Sequence, residues 1–384
     1  MPTNLPAEAK AKLAKYREAR THEEKIKALE EAISCIPHHK HTEKMLRQLK
    51  KRLAQLRREL EHKPAKGGRR DDFSIEREGA AQVVLLGATN TGKSSLLAML
   101  TNAKPEIANY PMTTRRPIPG MMEYEDVEIQ IVELPAILTE TLEETSIAYK
   151  SLGMARNADL IVVVLDASNR PLEQFRKIVE MLEDVGVVLK KERTKVILEK
   201  KDSGGIRLVT FGKFNGTVDE IKRLLESVGI RNAVVKIIGD ATIEDIEEQV
   251  IYEFVYKKGL VILNKFDLMS GNIDEIEDLN LQLETPLVKI SAKDGKGLEE
   301  LKRLIFENLG LMRVYTQKDG VIARKPIVVP IGTTVGQLAY LIHKELAENF
   351  RYARVWGTSV KVQGQKVGAD HVLQDKDLIE IFTL

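Results

Sequence analysis

The sequence contains a single cysteine, Cys35, so no disulfide can close within the chain, and one lone thiol fits a reducing compartment. No apolar run approaches the roughly 18 residues needed to cross a bilayer. The opening residues, MPTNLPAEAKAK, hold no apolar signal core. No membrane partner is expected, and a cytoplasmic location is. Internal repeats and low-complexity tracts are also missing, which argues against solenoid and linker-dominated architectures.

What remains is a highly charged globular composition, 43% hydrophobic and 30% charged over 384 residues, long enough for two or three domains. The net charge is only +2, but it is unevenly spread: between Thr42 and Arg70, eleven Lys/Arg face three Glu, a local excess of eight. A basic stripe of this kind (Arg47, Lys50, Lys51, Arg52, Arg57, Arg58) either neutralises phosphates or is a solvated helix face. Cys35, His38, His39 and His41 cluster beside it. No second cluster at zinc-finger spacing follows, so a solvated turn is expected there rather than a metal site.

Periodicity divides the chain. Leu46, Leu49, Leu53, Leu56 and Leu60 recur every three or four residues and form one stripe of a helix. Thr21 with Glu24 is a capping-box pattern, followed by Ile26, Leu29 and Ile33 on one face and by Pro37. Residues 1–70 therefore read as an N-terminal helical hairpin with a basic linker. From Ala81 onward, short β-rich runs alternate with helical segments, the pattern of an α/β fold with a parallel sheet. The expected strands are Gln82–Leu86, Val127–Val132, Leu160–Leu165, Leu260–Leu263 and Leu287–Ile290. The gap between the third and fourth exceeds one crossover and holds further strand-like runs (Val196–Leu198, Ile206–Phe211, Ala233–Ile238). An inserted α+β subdomain is expected over about Gly186–Tyr256, inside a domain spanning 71–310. Residues 311–384 read as a small β-grasp-like domain around one amphipathic helix, Val335–Glu348.

Gly87-Ala88-Thr89-Asn90-Thr91-Gly92-Lys93-Ser94, followed by Ser95, satisfies GxxxxGK[ST] between an apolar strand and a helical run. Its glycines let the backbone wrap phosphate, its amides face the negative oxygens at a helix N-terminus, Lys93 reaches the β- and γ-phosphates, and the Ser94 hydroxyl ligates Mg2+. The base is chosen by Asn264-Lys265-Phe266-Asp267. Asp267 can accept hydrogen bonds from N1–H and the exocyclic amine of guanine, where adenine presents an acceptor and no amine. Ser291-Ala292-Lys293 follows the next strand: Ala292 can offer its N–H to guanine O6, while the stem of Lys265 covers the base face. GTP or GDP with Mg2+ is the expected ligand set.

Together with Tyr110-Pro-Met-Thr-Thr and Glu133-Leu-Pro-Ala, these motifs resemble the Obg-related GTPases of the translation-factor class. The tail YARVWGTSVKVQGQKVGADHVLQDKDLIEI is similar to the TGS domain of the developmentally regulated GTP-binding proteins. Lys201-Asp202-Ser203-Gly204-Gly205-Ile206 resembles a motif in that family's inserted domain. The likeness spans nearly the whole chain and implies a P-loop NTPase G domain with an inserted α+β subdomain, an N-terminal helical hairpin and a C-terminal β-grasp (TGS) domain. It further implies a GTPase associated with the ribosome or ribosomal RNA, with a stabilising or activating protein factor as a further partner. The TGS tail would add Arg351, Arg354, Lys361 and Lys366 to the basic surface. Thr113 and Thr114 fall in switch I, where Thr114 would supply the second Mg2+ hydroxyl.

The chain departs from the family at its third motif, usually DxPG. Glu133 keeps the charge on a longer arm and would reach Mg2+ through water. Ala136 can still donate its N–H, but it lacks glycine's freedom to flip the peptide. Ile137 stands where Ras-like enzymes carry a water-orienting glutamine, so catalysis rests on Lys93, Mg2+ and the P-loop amides. Turnover on the order of 10⁻⁴ s⁻¹ or somewhat faster is expected. Asn90 occupies the position of the asparagine in potassium-stimulated GTPases, and either helps hold K+ beside the phosphates or only stabilises the loop. The alternative to a slow switch is a GTP-binding scaffold with little hydrolysis.

Overall fold

The computed structural model describes residues 6–19, 21–37, 46, 49, 50, 52, 53, 56, 57, 73, 75–103, 116–137, 142–190, 195–227, 229–251, 254–268, 273–283, 285–318 and 320–383. Thr113, Thr114, Arg47, Lys51, Arg58 and the histidines His38, His39 and His41 lie outside this set.

The N-terminal unit is built on two helices, Ala7–Glu18 and His22–Cys35. The capping box forms as the sequence predicts: the Glu24 amide donates to Thr21 Oγ1 at 3.2 Å, and the Thr21 amide to Glu24 Oε2 at 3.3 Å. Leu46, Leu49 and Leu56 are buried against Leu13, Tyr16, Leu29 and Ile36, which gives the leucine stripe its partner. The helix Ala7–Glu18 is an addition to the expected hairpin. Among its described side chains, Ala9, Leu13 and Tyr16 face the core, a stripe too sparse to stand out among lysines and alanines. Two cations of the basic stripe are engaged inside this unit: Arg52 donates to the Tyr16 hydroxyl at 3.3 Å, and Arg57 pairs with Glu30 at 2.7 Å. Cys35 is half-buried against the same cluster. Among the described residues, no group of three His, Cys, Asp or Glu is placed to hold a metal ion.

The strands are β1 (Gln82–Leu86), β2 (Ile118–Tyr124), β3 (Val127–Glu133), β4 (Leu160–Asp166), β5 (Val187–Lys190), β6 (Lys195–Lys200), β7 (Ile206–Phe211), β8 (Phe214–Asn215), β9 (Ala233–Ile238), β10 (Ala241–Thr242), β11 (Val255–Asn264), β12 (Leu287–Lys289), β13 (Leu311–Lys318), β14 (Val321–Ile322), β15 (Ile327–Pro330), β16 (Phe350–Trp356), β17 (Gln365–Val367) and β18 (Asp377–Thr383). The central sheet runs β12-β11-β4-β1-β3-β2, with β5 also beside β11. Among the described strand pairs of this sheet, only β2–β3 is antiparallel. β1 and β4 are buried along their whole length, as expected of parallel strands covered on both faces. Helices on the two sides complete two apolar layers, one centred on Val84, Val132, Ile161 and Leu263, the other on Leu85, Leu97, Ile131 and Val162.

Three differences from the sequence reading have physical causes. β2 escapes notice because Pro119 and Gly120 interrupt it, and an edge strand tolerates both. β11 is longer than Leu260–Leu263 because buried Lys257 continues it, its ammonium held by the Ala158 carbonyl at 2.7 Å. Val187–Lys190, assigned to the insertion by sequence, is a strand of the central sheet paired with residues 255–258 of β11. The insertion itself carries the three-stranded sheet β6-β9-β7, covered by Val218–Ser227 around Ile221, Leu225, Val235 and Ile237.

The C-terminal sheet runs β14-β13-β18-β16-β17, with β15 also on β13. Its helix is not continuous over Val335–Glu348. It breaks at His343, whose backbone is extended, into Val335–Ile342 and Lys344–Glu348. No described helix is long and apolar enough to cross a membrane.

Candidate functional site

The C-terminal ends of β1, β3, β4 and β11 meet at one edge of the sheet, and the predicted motif residues gather there. β1 delivers the loop Gly87–Gly92 to the N-terminus of the helix Lys93–Leu100, whose first amides have no side-chain cap and can face an anion. Gly92 has φ of +87°, and a Cβ there would lie 2.3 Å from Asn264 Nδ2. At Gly87 a Cβ would lie 2.4 Å from the Val164 carbonyl oxygen. Both glycines are thus demanded by packing against β4 and β11, as well as by any phosphate. Asn90 is exposed with φ of 61°, so the loop turns through a left-handed residue at its tip.

Lys93 is buried, and its ammonium donates to the carbonyls of Ala88 at 2.7 Å and Gly87 at 3.2 Å. Burial pushes its pKa down to about 8, against the opposing charge of Glu133. Because the folded value lies below the usual 10.5, the charged lysine costs stability below about pH 8, a cost relieved as pH rises toward 10.5. Phosphate oxygens beside it would restore the charged form, so anion binding above that pKa takes up a proton. GTP affinity is expected to be level up to about pH 8 and then to fall, by up to about tenfold per unit. Fluorescent-nucleotide titration between about pH 7 and 9 checks this, with Lys93→Met expected to bind more weakly and with a flatter slope.

Ser94 Oγ donates to Glu133 Oε1 at 2.6 Å, and Glu133, at the end of β3, is only 1% exposed. A hydroxyl and a buried carboxylate side by side are hard oxygen donors of the kind Mg2+ takes, so the residues present fit that ion. After β3 the chain is tied back to the P-loop strand: the Leu134 amide donates to Leu85 O at 3.1 Å, and Ile137 to Gly87 O at 3.3 Å. Ala136, half-buried, lies between these ties. The Ile137 side chain is 1% exposed and packs in the apolar layer with Leu86 and Leu134, so it points into the core rather than at the phosphate loop.

The loops that follow β11 and β12 are joined to the P-loop by the Asn264 side chain. Asn264 Nδ2 donates to Thr91 O at 2.8 Å, while Asn264 Oδ1 accepts the Ala292 amide at 3.0 Å. The Ala292 N–H that sequence reasoning reserves for guanine O6 is therefore already engaged, and would meet O6 only as a shared donor. Lys265 has φ of 59°, and its ammonium pairs with Asp166 Oδ2 at 2.7 Å. Burial pushes the Asp166 carboxyl up, but hydrogen bonds from Lys265 and Ser168 hold it below its usual range. Asp166 was missed from sequence. The available signal was its place at the end of β4, in register with Asn264. Asp267 is exposed, and a hydrogen bond from Ser291 holds its carboxyl below the usual range despite burial's opposing push, so it is an anionic acceptor at neutral pH. Lys293 lies two residues after Ser291 in the loop that follows β12.

The family described as 50S ribosome-binding GTPase matches residues 82–200, its C-terminal region matches 203–311, and the TGS domain matches 312–383. A GTP-binding protein of Halobacterium salinarum is 33% identical, over 94% of this chain and 98% of its own. Developmentally-regulated GTP-binding protein 1 of Xenopus laevis is 36% identical, over 87% and 91%. Ribosome-interacting GTPase 1 of Saccharomyces cerevisiae is 34% identical, over 93% and 98%. Among solved structures, the Schizosaccharomyces pombe YchF GTPase matches over 80% of this chain with a TM-score of 0.47 and 14% identity. With this identity maintained along nearly the full length of such relatives, the chain belongs to the developmentally regulated GTP-binding protein family of GTPases.

Proposed function

We propose that this chain binds GTP with Mg2+ and hydrolyses it slowly to GDP and phosphate, with K+ stimulation. In this reading it acts in the cytoplasm as a switch on ribosomes or ribosomal RNA in translation, assisted by a stabilising or activating protein factor. The observation that carries the reading is the Asn264 bridge, which fixes the phosphate loop and the Ala292 loop in one frame with Asp267. A nucleotide can then be read at both ends at once.

In that frame the amides of Gly92–Ser95 and the Lys93 ammonium would hold the phosphates. Asp267 would accept from the guanine edge, and the Lys265 stem, steadied by Asp166, would cover the base. Ser94, Thr114 and Glu133 would hold Mg2+, which neutralises phosphate charge when bound. Asn90 would contribute an oxygen to K+. The name of the yeast relative supports the ribosome as partner.

Burial of Ile137 favours a second reading, a scaffold that binds GTP and hardly turns it over. Phosphate release from labelled GTP, followed in KCl and in NaCl, separates the two. The switch reading expects slow release that is faster in KCl. Tight binding with no release in either salt selects the scaffold, and equal rates in both salts remove K+ from the mechanism.

A further inference from the structure

Glu133 is one end of a longer object. β2 and β3 pair row by row from Ile118 opposite Glu133 to Tyr124 opposite Val127, with no register shift. Six steps of about 3.4 Å place the turn Glu125-Asp126 about 20 Å from the Ser94–Glu133 contact. β3 is also locked in parallel register to β1, the strand that delivers the P-loop. A load on the far turn is therefore passed along paired strands to Glu133 rather than lost in a loose loop.

The far end of the ribbon is gripped by the C-terminal domain. Arg313 of β13, whose side chain is 5% exposed, donates through Nη1 to Glu125 and lies 3.7 Å from Asp126 Oδ1. Its other nitrogens fork onto Asp375, Nε at 3.1 Å and Nη2 at 2.5 Å, so the guanidinium is fixed within its own domain before it reaches across. The Tyr315 hydroxyl donates to Asp126, Lys376 pairs with Glu125 at 3.1 Å, and Lys325 with Glu128 at 3.2 Å. Thus two carboxylates of the turn and one of β3 meet four donors from the other domain. Arg313 also lies 5.0 Å over the Phe306 ring, which itself lies 5.4 Å from Tyr124. Phe306 belongs to the helix Leu298–Leu309 that follows the Ser291–Lys293 loop. One buried cation therefore touches the ribbon that ends at Glu133 and the helix that follows the base-reading loop.

We propose that Arg313 is a positioning residue for the nucleotide site. By clamping the β2–β3 turn it makes the ribbon a lever, so the placement of Glu133 against Ser94 and the placement of the C-terminal domain are coupled. The proposal rests on the reading of the site as a guanine-nucleotide switch. Coupling of this kind is reciprocal: whatever moves the C-terminal domain changes the preference between GTP and GDP, and the nucleotide changes the domain's placement.

The test uses the full-length chain with two fluorophores, one on the G domain and one on the C-terminal domain. The affinities of fluorescent GDP and a non-hydrolysable GTP analogue are measured in parallel. The wild type is expected to change its interdomain distance on exchanging GDP for the analogue. Arg313→Ala is expected to abolish that change and to alter the ratio of the two affinities by about fivefold or more. Since Arg313→Ala risks unfolding, the double variant Tyr315→Phe with Lys376→Ala trims the outer arms and leaves Arg313 in place. It is expected to shift the ratio in the same direction by a smaller factor. A purely structural contact would change melting temperature and leave the ratio alone. An unchanged ratio in both folded variants, or a wild-type distance indifferent to nucleotide, overturns the clamp alone. A wild type that binds no guanine nucleotide overturns the reading of the site and the clamp with it.

Discussion

Replacing Asp267 by alanine is expected to weaken GTP binding on the order of 10²- to 10⁴-fold while leaving the melting temperature of the protein without nucleotide unchanged. The carboxylate is exposed, and Ser291, which donates to it, is also held by the Asp294 amide at 3.2 Å, so the fold depends little on Asp267. The ligand does. Two charge-assisted acceptors opposite N1–H and the exocyclic amine would be lost together. Asp267→Asn sharpens the result. Its amide presents a donor as well as an acceptor, so guanine meets a donor facing its amine, whereas xanthine offers a carbonyl there. The asparagine variant is expected to lose GTP and gain XTP. That gain cannot come from misfolding, so paired titrations with the two nucleotides check the role of Asp267 directly.

The second large effect is expected at Asn264, and it takes a different form. Asn264→Ala removes the partner of two buried backbone groups, the Thr91 carbonyl and the Ala292 amide. Each orphaned group costs about 1–3 kcal/mol. The substitution also opens a gap where Gly92 approaches the asparagine side chain most closely. Unlike the aspartate change, this one is expected to lower the melting temperature even without nucleotide, and to weaken GTP and GDP alike, because both loops lose their common anchor. Calorimetric melting with and without GTP distinguishes the two variants: Asp267→Ala loses only the ligand-induced rise, and Asn264→Ala loses baseline stability too.

The sequence made the site legible because its motifs depend on local chemistry. A glycine before a lysine after one buried strand, and an asparagine at the end of another, have few other uses, and Gly92 packs closely on Asn264 in the fold. Long-range pairing was harder to see. Asp166 is an ordinary strand-end aspartate until β4 and β11 align and bring it to Lys265. Arg313 reads as one more surface cation among 59 Lys and Arg, and only the fold buries it between Asp375 and the β2–β3 turn. β2 itself was hidden by Pro119 and Gly120, residues that an edge strand accepts and a central one does not. The helix Ala7–Glu18 lacked a full apolar face because it shares its core with the leucine stripe.

Ile137 marks a limit of another kind. Its identity announced the loss of a water-orienting side chain, and its burial shows that the position has joined the core. A switch with that residue must rely on backbone, metal and partner for whatever hydrolysis it performs.

The central claim, that the Asn264-bridged loops with Asp267 form a guanine-nucleotide site, is tested most directly by competition. A fluorescent GTP analogue bound to the full-length protein in Mg2+ is displaced by unlabelled GTP, GDP and ATP. The account predicts displacement by GTP and GDP, with ATP weaker by roughly 10⁴-fold or more. Displacement by ATP at concentrations similar to GTP would contradict it.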